Sequence, residues 1–368
     1  CEGIPVSLKI LHIELGRNLY GGAKQVVYLL DSLNRQFDYE NHLICPEDSK
    51  IASLSLSGCQ THTIAYRGET DLFAVKRMVN IARKINADVI HVHSRRGADV
   101  FGAMVAKITG IPAICTRRVD NPESLFATYK YSQFAAVASI SEGVFNVVSH
   151  HCEAVKHQPV IHSSVDFKEF SKPGDKAWLS ETFSIPSDHT VIANFAQLIS
   201  RKGQADIILA MEKVVQNNPK VSCLLFGKGN LKESYEALID RHLLTEHVHL
   251  CGFTDEVSKI LPSVDIVVHP AYAEGLGVIL LQAGACKRAV VSTPVGGIPE
   301  IIEHNETGLM VTPGNIDEIA DALITLVNDK QTRETLGNQL YQHVKGHFST
   351  KEMAASYSEL YLTVTQPS

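Results

Sequence analysis

The chain has 368 residues, 45% of them hydrophobic, with a formal net charge of −6; it is too long for one ordinary core and suits two domains. A net-negative chain is not built around nucleic acid, and no apolar run approaches the roughly 20 residues of a membrane-spanning helix. The eight cysteines and seventeen histidines are scattered without C-x-x-C or H-E-x-x-H spacing, which argues for free thiols in a reducing cytosol and against a zinc motif.

Strand-like apolar runs alternate with helix-length periodic stretches from end to end, the pattern of an α/β protein with parallel sheets. Ser7 to Leu15 reads as the first strand, followed by the glycine loop Tyr20-Gly21-Gly22-Ala23-Lys24 and a helix with Val26, Val27, Leu29, Leu30 and Leu33 apolar. Gly21-Gly22 is not a G-x-G-x-x-G, which speaks against a standard dinucleotide site; by itself it is a tight turn. Asp71 to Ile85 is amphipathic, with Val75, Met78, Val79, Ala82 and Ile85 on one face and Lys76, Arg77, Arg83 and Lys84 elsewhere. That basic side reads as a solvated face, with anionic lipid as the alternative partner.

Val89, Ile90 and Val92 make the next strand, and two-residue alternation puts His91 and His93 on one face. His93 stands near the strand's carboxyl end, where α/β folds place ligands. Arg95-Arg96 then open a helix, a poor place for cations next to the helix dipole, and Arg117-Arg118 follow the strand after that. The two pairs read either as an anion-binding lining or as surface ion-pair networks. Phe134 to Ile140 is another strand, after which Ser141 is expected to cap a helix. Lys172 to Ser187, with Pro173, Gly174 and Pro186, reads as a linker, dividing the chain into domains 1–172 and 173–350.

The second domain opens with a strand from Thr190 to Leu198, the cations Arg201-Lys202, and a helix from Gln204 to Asn217. Val221 to Phe226 is a strand running into a glycine turn, and Phe253, after Val248 to Gly252, is expected to pack into the core, with a ligand contact as the alternative. Val264 to Pro270 is a strand buried on both faces, leading through Glu274-Gly275-Leu276-Gly277-Val278 into a helical pattern. Gly275 and Gly277 let backbone amides approach a ligand, and a helix start favours phosphate. Glu274 is either a first-turn cap of its own helix or a partner for hydroxyls on the same ligand. Asn315 to His347 is peripheral helix, and Lys351 to Val364 is a terminal amphipathic helix.

The order Pro270, Glu274-Gly275, helix, Val290-Val291-Ser292-Thr293-Pro294-Val295-Gly296-Gly297-Ile298-Pro299-Glu300 resembles the C-terminal domain of retaining GT-B glycosyltransferases of family 4. Further pieces of that pattern cover nearly the whole chain, most strongly Thr190 to Val311. The resemblance implies two Rossmann-like βαβ domains facing across a cleft, with the helix in 351–368 crossing back to complete the first. It implies transfer of a sugar, with retention, from a nucleotide-sugar to a glycolipid or polysaccharide acceptor of the cell envelope or lipopolysaccharide core, without metal or cofactor.

Residue by residue, the resemblance assigns catalytic roles to His93, in a D-x-x-H-x-H segment, and to Glu274. It assigns donor contacts to Gly22, Arg201, Lys202, Gly275, Leu276, Gly277, Val278 and Gln282. Two positions depart from the family: Gln197 stands for an arginine and Gln282 for a second glutamate. Arg95, Arg96, Arg117 and Arg118 are expected to meet an anionic, phosphorylated acceptor. The expected location is cytoplasmic, with peripheral contact at the inner membrane surface and no nucleic-acid partner. Cys1, in place of an initiator methionine, reads as a trimmed start rather than a mature lipoprotein, since the inferred ligand is cytosolic. The rival readings are a GT-B nucleotide-sugar epimerase, a dehydrogenase (for which no glycine fingerprint is found) and a non-catalytic carbohydrate-binding protein.

Overall fold

A computed structural model describes residues 7–93, 97–123 and 126–366; Cys1, Arg95 and Arg96 lie outside them. The chain forms two compact units, Cys1–Ser164 with Thr350–Ser368, and Val165–Ser349. This division falls earlier than the expected 172/173 boundary, because Val165 already donates its N–H to the Phe348 carbonyl at 3.0 Å.

The first unit holds β1 (Lys9–Ile13), β2 (Glu40–Pro46), β3 (Cys59–Ile64), β4 (Val89–Val92), β5 (Ala113–Arg117) and β6 (Ala136–Ser139), in the order β3-β2-β1-β4-β5-β6. The second holds β7 (Thr190–Phe195), β8 (Val221–Phe226), β9 (Val248–Gly252), β10 (Ile266–His269), β11 (Ala289–Ser292) and β12 (Leu309–Met310), in the order β12-β11-β10-β7-β8-β9. All described pairings are parallel. The central strands are apolar on both faces because helices cover both. The order reverses once in each sheet, at β1/β4 and at β7/β10. Loops leaving two such strands diverge, which opens a crevice at their carboxyl ends.

In the first unit, Met78, Val79, Phe101 and Val105 pack on one sheet face. Leu29 and Leu33 join Met353, Tyr357 and Tyr361 of the terminal helix Thr350–Thr365 on the other. In the second unit the helices Gln204–Asn217 and Ile316–Asn328 bury Ile207, Met211, Leu323 and Leu326 against Ile192, Leu225 and Val268.

Three expectations change. The linker read over 172–187 contains a helix, Lys176–Phe183, started by Asp175 accepting from the Trp178 N–H at 2.9 Å. Its proline and glycine mark close packing: a Cβ on Gly174 would lie 2.0 Å from the Pro262 carbonyl oxygen. Residues 315–347 are two helices, Ile316–Asn328 and Lys330–His347, the second capped by Asp329 through the Thr332 N–H. Phe253 is 45% exposed, with the Lys228 ammonium 4.9 Å from its ring centroid, so it is not core. Ser141 does cap its helix, accepting from the Val144 N–H.

Candidate active site

In the second unit the loops after β7 and β10 meet at the switch point. Tyr272 donates its N–H to the Arg201 carbonyl at 2.9 Å. Gly203, at φ +73°, packs so closely that a Cβ would sit 2.1 Å from the Pro270 carbonyl oxygen. The loop after β11 closes from a third side. Gly297 donates to the Gly275 carbonyl at 3.1 Å, and Gly296, at φ +55°, lies where a Cβ would be 1.6 Å from the Glu274 carbonyl oxygen. A side chain there is excluded both by the left-handed backbone and by space.

This framework brings three distant side chains together. The Lys202 Nζ lies 2.7 Å from Glu274 Oε2, and His269 Nε2 lies 2.9 Å from the same oxygen. Glu274 Oε1 accepts from the Gly275 N–H at 3.0 Å. Burial alone would raise the Glu274 carboxyl, but hydrogen bonding and attraction from His269, then from Lys202, outweigh it and hold the group well below the usual carboxylate range. Glu274 is therefore ionised at neutral pH. The following helix starts only at Val278, with Gly277 at φ +89° before it, so Glu274 is not its cap. Leu276 is buried, and Arg201, Val278 and Gln282 are partly exposed on the same loops and first helical turns.

The first unit's switch point is built from histidines. His12 on β1 pairs in register with His91 on β4, and His93 follows just past the strand end. His12 Nδ1 is 2.9 Å from His93 Nε2, and His12 Nε2 is 3.1 Å from Asn41 Oδ1. His91 reaches the Tyr361 hydroxyl at 2.6 Å and Thr116 Oγ1 at 2.7 Å, and Thr116 continues to the Tyr357 hydroxyl at 2.8 Å. These bonds tie the terminal helix to the sheet. Burial lowers His12 to about 4 and holds His91 and His93 well below the usual histidine range, with neighbouring rings adding to the effect. All three rings are neutral at pH 7.

Gly22 lies in the first turn of the helix Gly21–Gln36 rather than in a loop before it. A Cβ there would be 3.6 Å from the Arg118 side chain, whose Nη1 donates to Ser163 Oγ at 3.4 Å. Burial lowers the Arg118 guanidinium from its ordinary value, and its Nε and Nη2 have no hydrogen-bond partner among the described residues. Arg117 is placed differently. It is 2% exposed, lies 2.6 Å from Glu123, and donates to the Asn121 carbonyl, so its own unit engages it.

Among the described residues, His12, His91 and His93 form the one group with metal-ligating atoms all within 4.8 Å of one another. The set fits a divalent ion poorly. All of its ring nitrogens except His93 Nδ1 already face a hydrogen-bond partner, and the Arg118 cation already acts on His91 and His93. Sequence reasoning missed His12, Asn41 and His269. All three show their roles only through contacts between elements remote in sequence or across a loop.

Residues 176–343 match the family model for glycosyl transferases group 1, and residues 25–133 match that for glycosyl transferase 4-like proteins. The chain is 23% identical over 304 residues to the N-acetyl-alpha-D-glucosaminyl L-malate synthase of Bacillus anthracis, covering 80% of this chain and 79% of that protein. It is 30% identical over 202 residues to a GDP-mannose-dependent monoacylated alpha-(1-6)-phosphatidylinositol monomannoside mannosyltransferase of Corynebacterium glutamicum, spanning 52% of each. Among solved structures, Anabaena Alr3699/HepE in complex with UDP and glucose superposes with a TM-score of 0.82 at 20% identity, covering 97% of this chain and 100% of that one. A glycosyltransferase from Rickettsia africae gives 0.85 at 19% identity, covering 99% and 100%. These two likenesses are likenesses of fold.

Proposed function

This chain belongs to the glycosyl transferases group 1 family and has the GT-B fold; on that premise we propose that it moves a sugar, with retention at the anomeric carbon, from a nucleotide-sugar to an anionic glycan or glycolipid of the cell envelope. The carrying observation is the Lys202–Glu274–His269 cluster at the second sheet's switch point. Breaking a glycosidic bond to a nucleotide leaves a diphosphate whose charge must be stabilised. Lys202, Arg201 and the backbone amides from Gly275 to Val278 supply positive potential for it without a metal or cofactor. Glu274, held ionised, accepts hydrogen bonds from donor-sugar hydroxyls, and Lys202 exchanges its carboxylate partner for phosphate when donor enters. Gln282 hydrogen-bonds ribose without the charge of a glutamate. Gly22 leaves room for substrate beside Arg118, and His93 meets a substrate hydroxyl.

Of the four arginines expected to meet the acceptor, Arg118 is the one whose described geometry supports it, since Arg117 is committed to Glu123. The first unit also exposes Leu72, Phe73, Val100, Met104, Ile108, Phe126 and Tyr129. Lys76, Arg77, Arg83, Lys84 and Lys107 share their helices. An apolar surface with cations suits a peripheral contact with anionic lipid at the cytoplasmic membrane face. Among the described residues no helix is long and apolar enough to cross a membrane.

The test is radiolabelled donor sugar incubated with protein and cell-envelope extract. Label moving to a glycan or lipid fraction supports transfer. Label recovered as an epimeric nucleotide-sugar, or bound and never moved, would instead favour an epimerase or a carbohydrate-binding protein. Flotation with vesicles containing anionic lipid, beside neutral ones, tests the membrane contact; equal binding to both argues against it.

A further inference from the structure

The histidine cluster has a direction that can be followed from one fixed end. The Ser57 carbonyl can only accept, so Asn34 turns its Nδ2 toward it and leaves Oδ1 free to accept. Asn41 Nδ2 donates to that oxygen at 2.8 Å, and at longer range toward the Tyr39 carbonyl, which turns Asn41 Oδ1 toward His12. Asn41 Oδ1 then accepts from His12 Nε2 at 3.1 Å. A neutral imidazole with its proton on Nε2 carries its lone pair on Nδ1. His12 Nδ1 therefore accepts from His93 Nε2 at 2.9 Å, and His93 is left with a lone pair on Nδ1. That atom is buried and has no hydrogen-bond partner among the described residues.

We infer that the chain Ser57 carbonyl–Asn34–Asn41–His12 fixes His93 in its Nε2–H tautomer and presents Nδ1 as an acceptor for a substrate hydroxyl, with His12 and Asn41 as positioning residues. The inference rests on the reading of His93 as a substrate contact. Burial, which keeps His12 and His93 neutral, preserves the one-proton-per-ring count that the chain requires. His91 does not compete for His93, because its two nitrogens are taken by Tyr361 and Thr116. Its ring packs against His93 with centroids 3.8 Å apart and limits rotation. A buried acceptor without a donor is costly, and a hydroxyl arriving with substrate relieves that cost, so the arrangement favours bound substrate.

The experiment reads tautomers directly, by long-range nitrogen–proton NMR of the histidine side chains in the full chain without substrate. The expected spectrum has His12 and His93 protonated on Nε2 only. A proton on His93 Nδ1, or Zn²⁺ shifting both rings stoichiometrically, would overturn the inference while leaving the transferase reading untouched. Two variants add the functional arm. His12→Leu removes the acceptor for His93, and His12→Asn places an amide oxygen where Nδ1 stood. His12→Leu is expected to lower kcat about tenfold, the scale of one lost positioning hydrogen bond, with donor KM nearly unchanged, and His12→Asn to restore most of it. Each variant's folding is checked in the same spectra. Wild-type activity in His12→Leu, or no recovery in His12→Asn, contradicts the positioning role. The expected tautomers without turnover of any nucleotide-sugar would overturn His93 as a substrate contact.

Discussion

The two sheets present the same topological feature, a reversal of strand order, and furnish it with opposite chemistry. At β7/β10 the side chains are ionic, with an ammonium 2.7 Å from a carboxylate. At β1/β4 they are neutral rings and hydroxyls joined by directional hydrogen bonds. The backbone supplies a crevice in both cases; the side chains decide what it recognises. Charge suits a diphosphate, whose binding is dominated by its formal charge. A fixed tautomer suits a sugar hydroxyl, which is recognised by who donates and who accepts.

The difference can be broken most forcefully at the charged end. Lys202→Ala removes the cation proposed to face the leaving diphosphate and leaves Glu274 to His269 and the Gly275 N–H, and kcat/KM is expected to fall on the order of 10³-fold. Steady-state kinetics with a saturating acceptor checks it, and a loss under about tenfold would mean that Arg201 and the helix start carry the charge alone.

Acid should separate the units next. His12, His91 and His93 have folded values below their unfolded one of 6.5, so on their account the unfolded chain binds more protons beneath that pH. Their stabilising contribution is complete above pH 6.5 and is lost as pH falls. For His12, lowered to about 4, the loss approaches about 3 kcal/mol by pH 4. Glu274 is also depressed, but from an ordinary value of 4.5, so its contribution persists until pH drops below that. Hydrogen exchange followed from pH 7 to 4 should show protection failing first around β1 and β4, where the three rings lie, and later around the β7 and β10 ends beside Glu274; simultaneous loss would remove the contrast.

Smaller effects sharpen the framework. Gly296→Ala forces a Cβ toward the Glu274 carbonyl, and a stability loss of about 2 kcal/mol with weakened donor binding is expected in urea titrations. Arg118→Ala is expected to raise acceptor KM about tenfold with little change in melting temperature. Arg117→Ala, which uncouples Glu123 inside the fold, should lower the melting temperature instead.

Much of this was legible in the sequence where signals are local. Gly203 and the residues past Asn217 bracket a helix with clear periodicity, and Gln204–Asn217 is the helix observed. Val221–Phe226 is an almost continuous apolar run ending at a glycine turn, and it is a strand as read. The failures share a cause. Pro173 and Gly174 announce a break in regular structure but not whether the chain beyond it is free or pressed against Pro262. Arg117 and Arg118 are one dipeptide, yet successive side chains at a strand end take opposite faces. Alternation says they diverge, and only packing says which becomes committed to Glu123. The partners of His93 come from β1 and β2, remote in sequence, and nothing near His93 signals them.

The most direct measurement is binding and turnover across UDP-, GDP-, ADP- and dTDP-sugars, wild type beside Glu274→Ala. Wild type is expected to bind and turn over one donor class, while Glu274→Ala still binds the nucleoside diphosphate through Lys202 and loses turnover. Failure of the wild type to bind any nucleotide-sugar, or full turnover by Glu274→Ala, would contradict the proposed function.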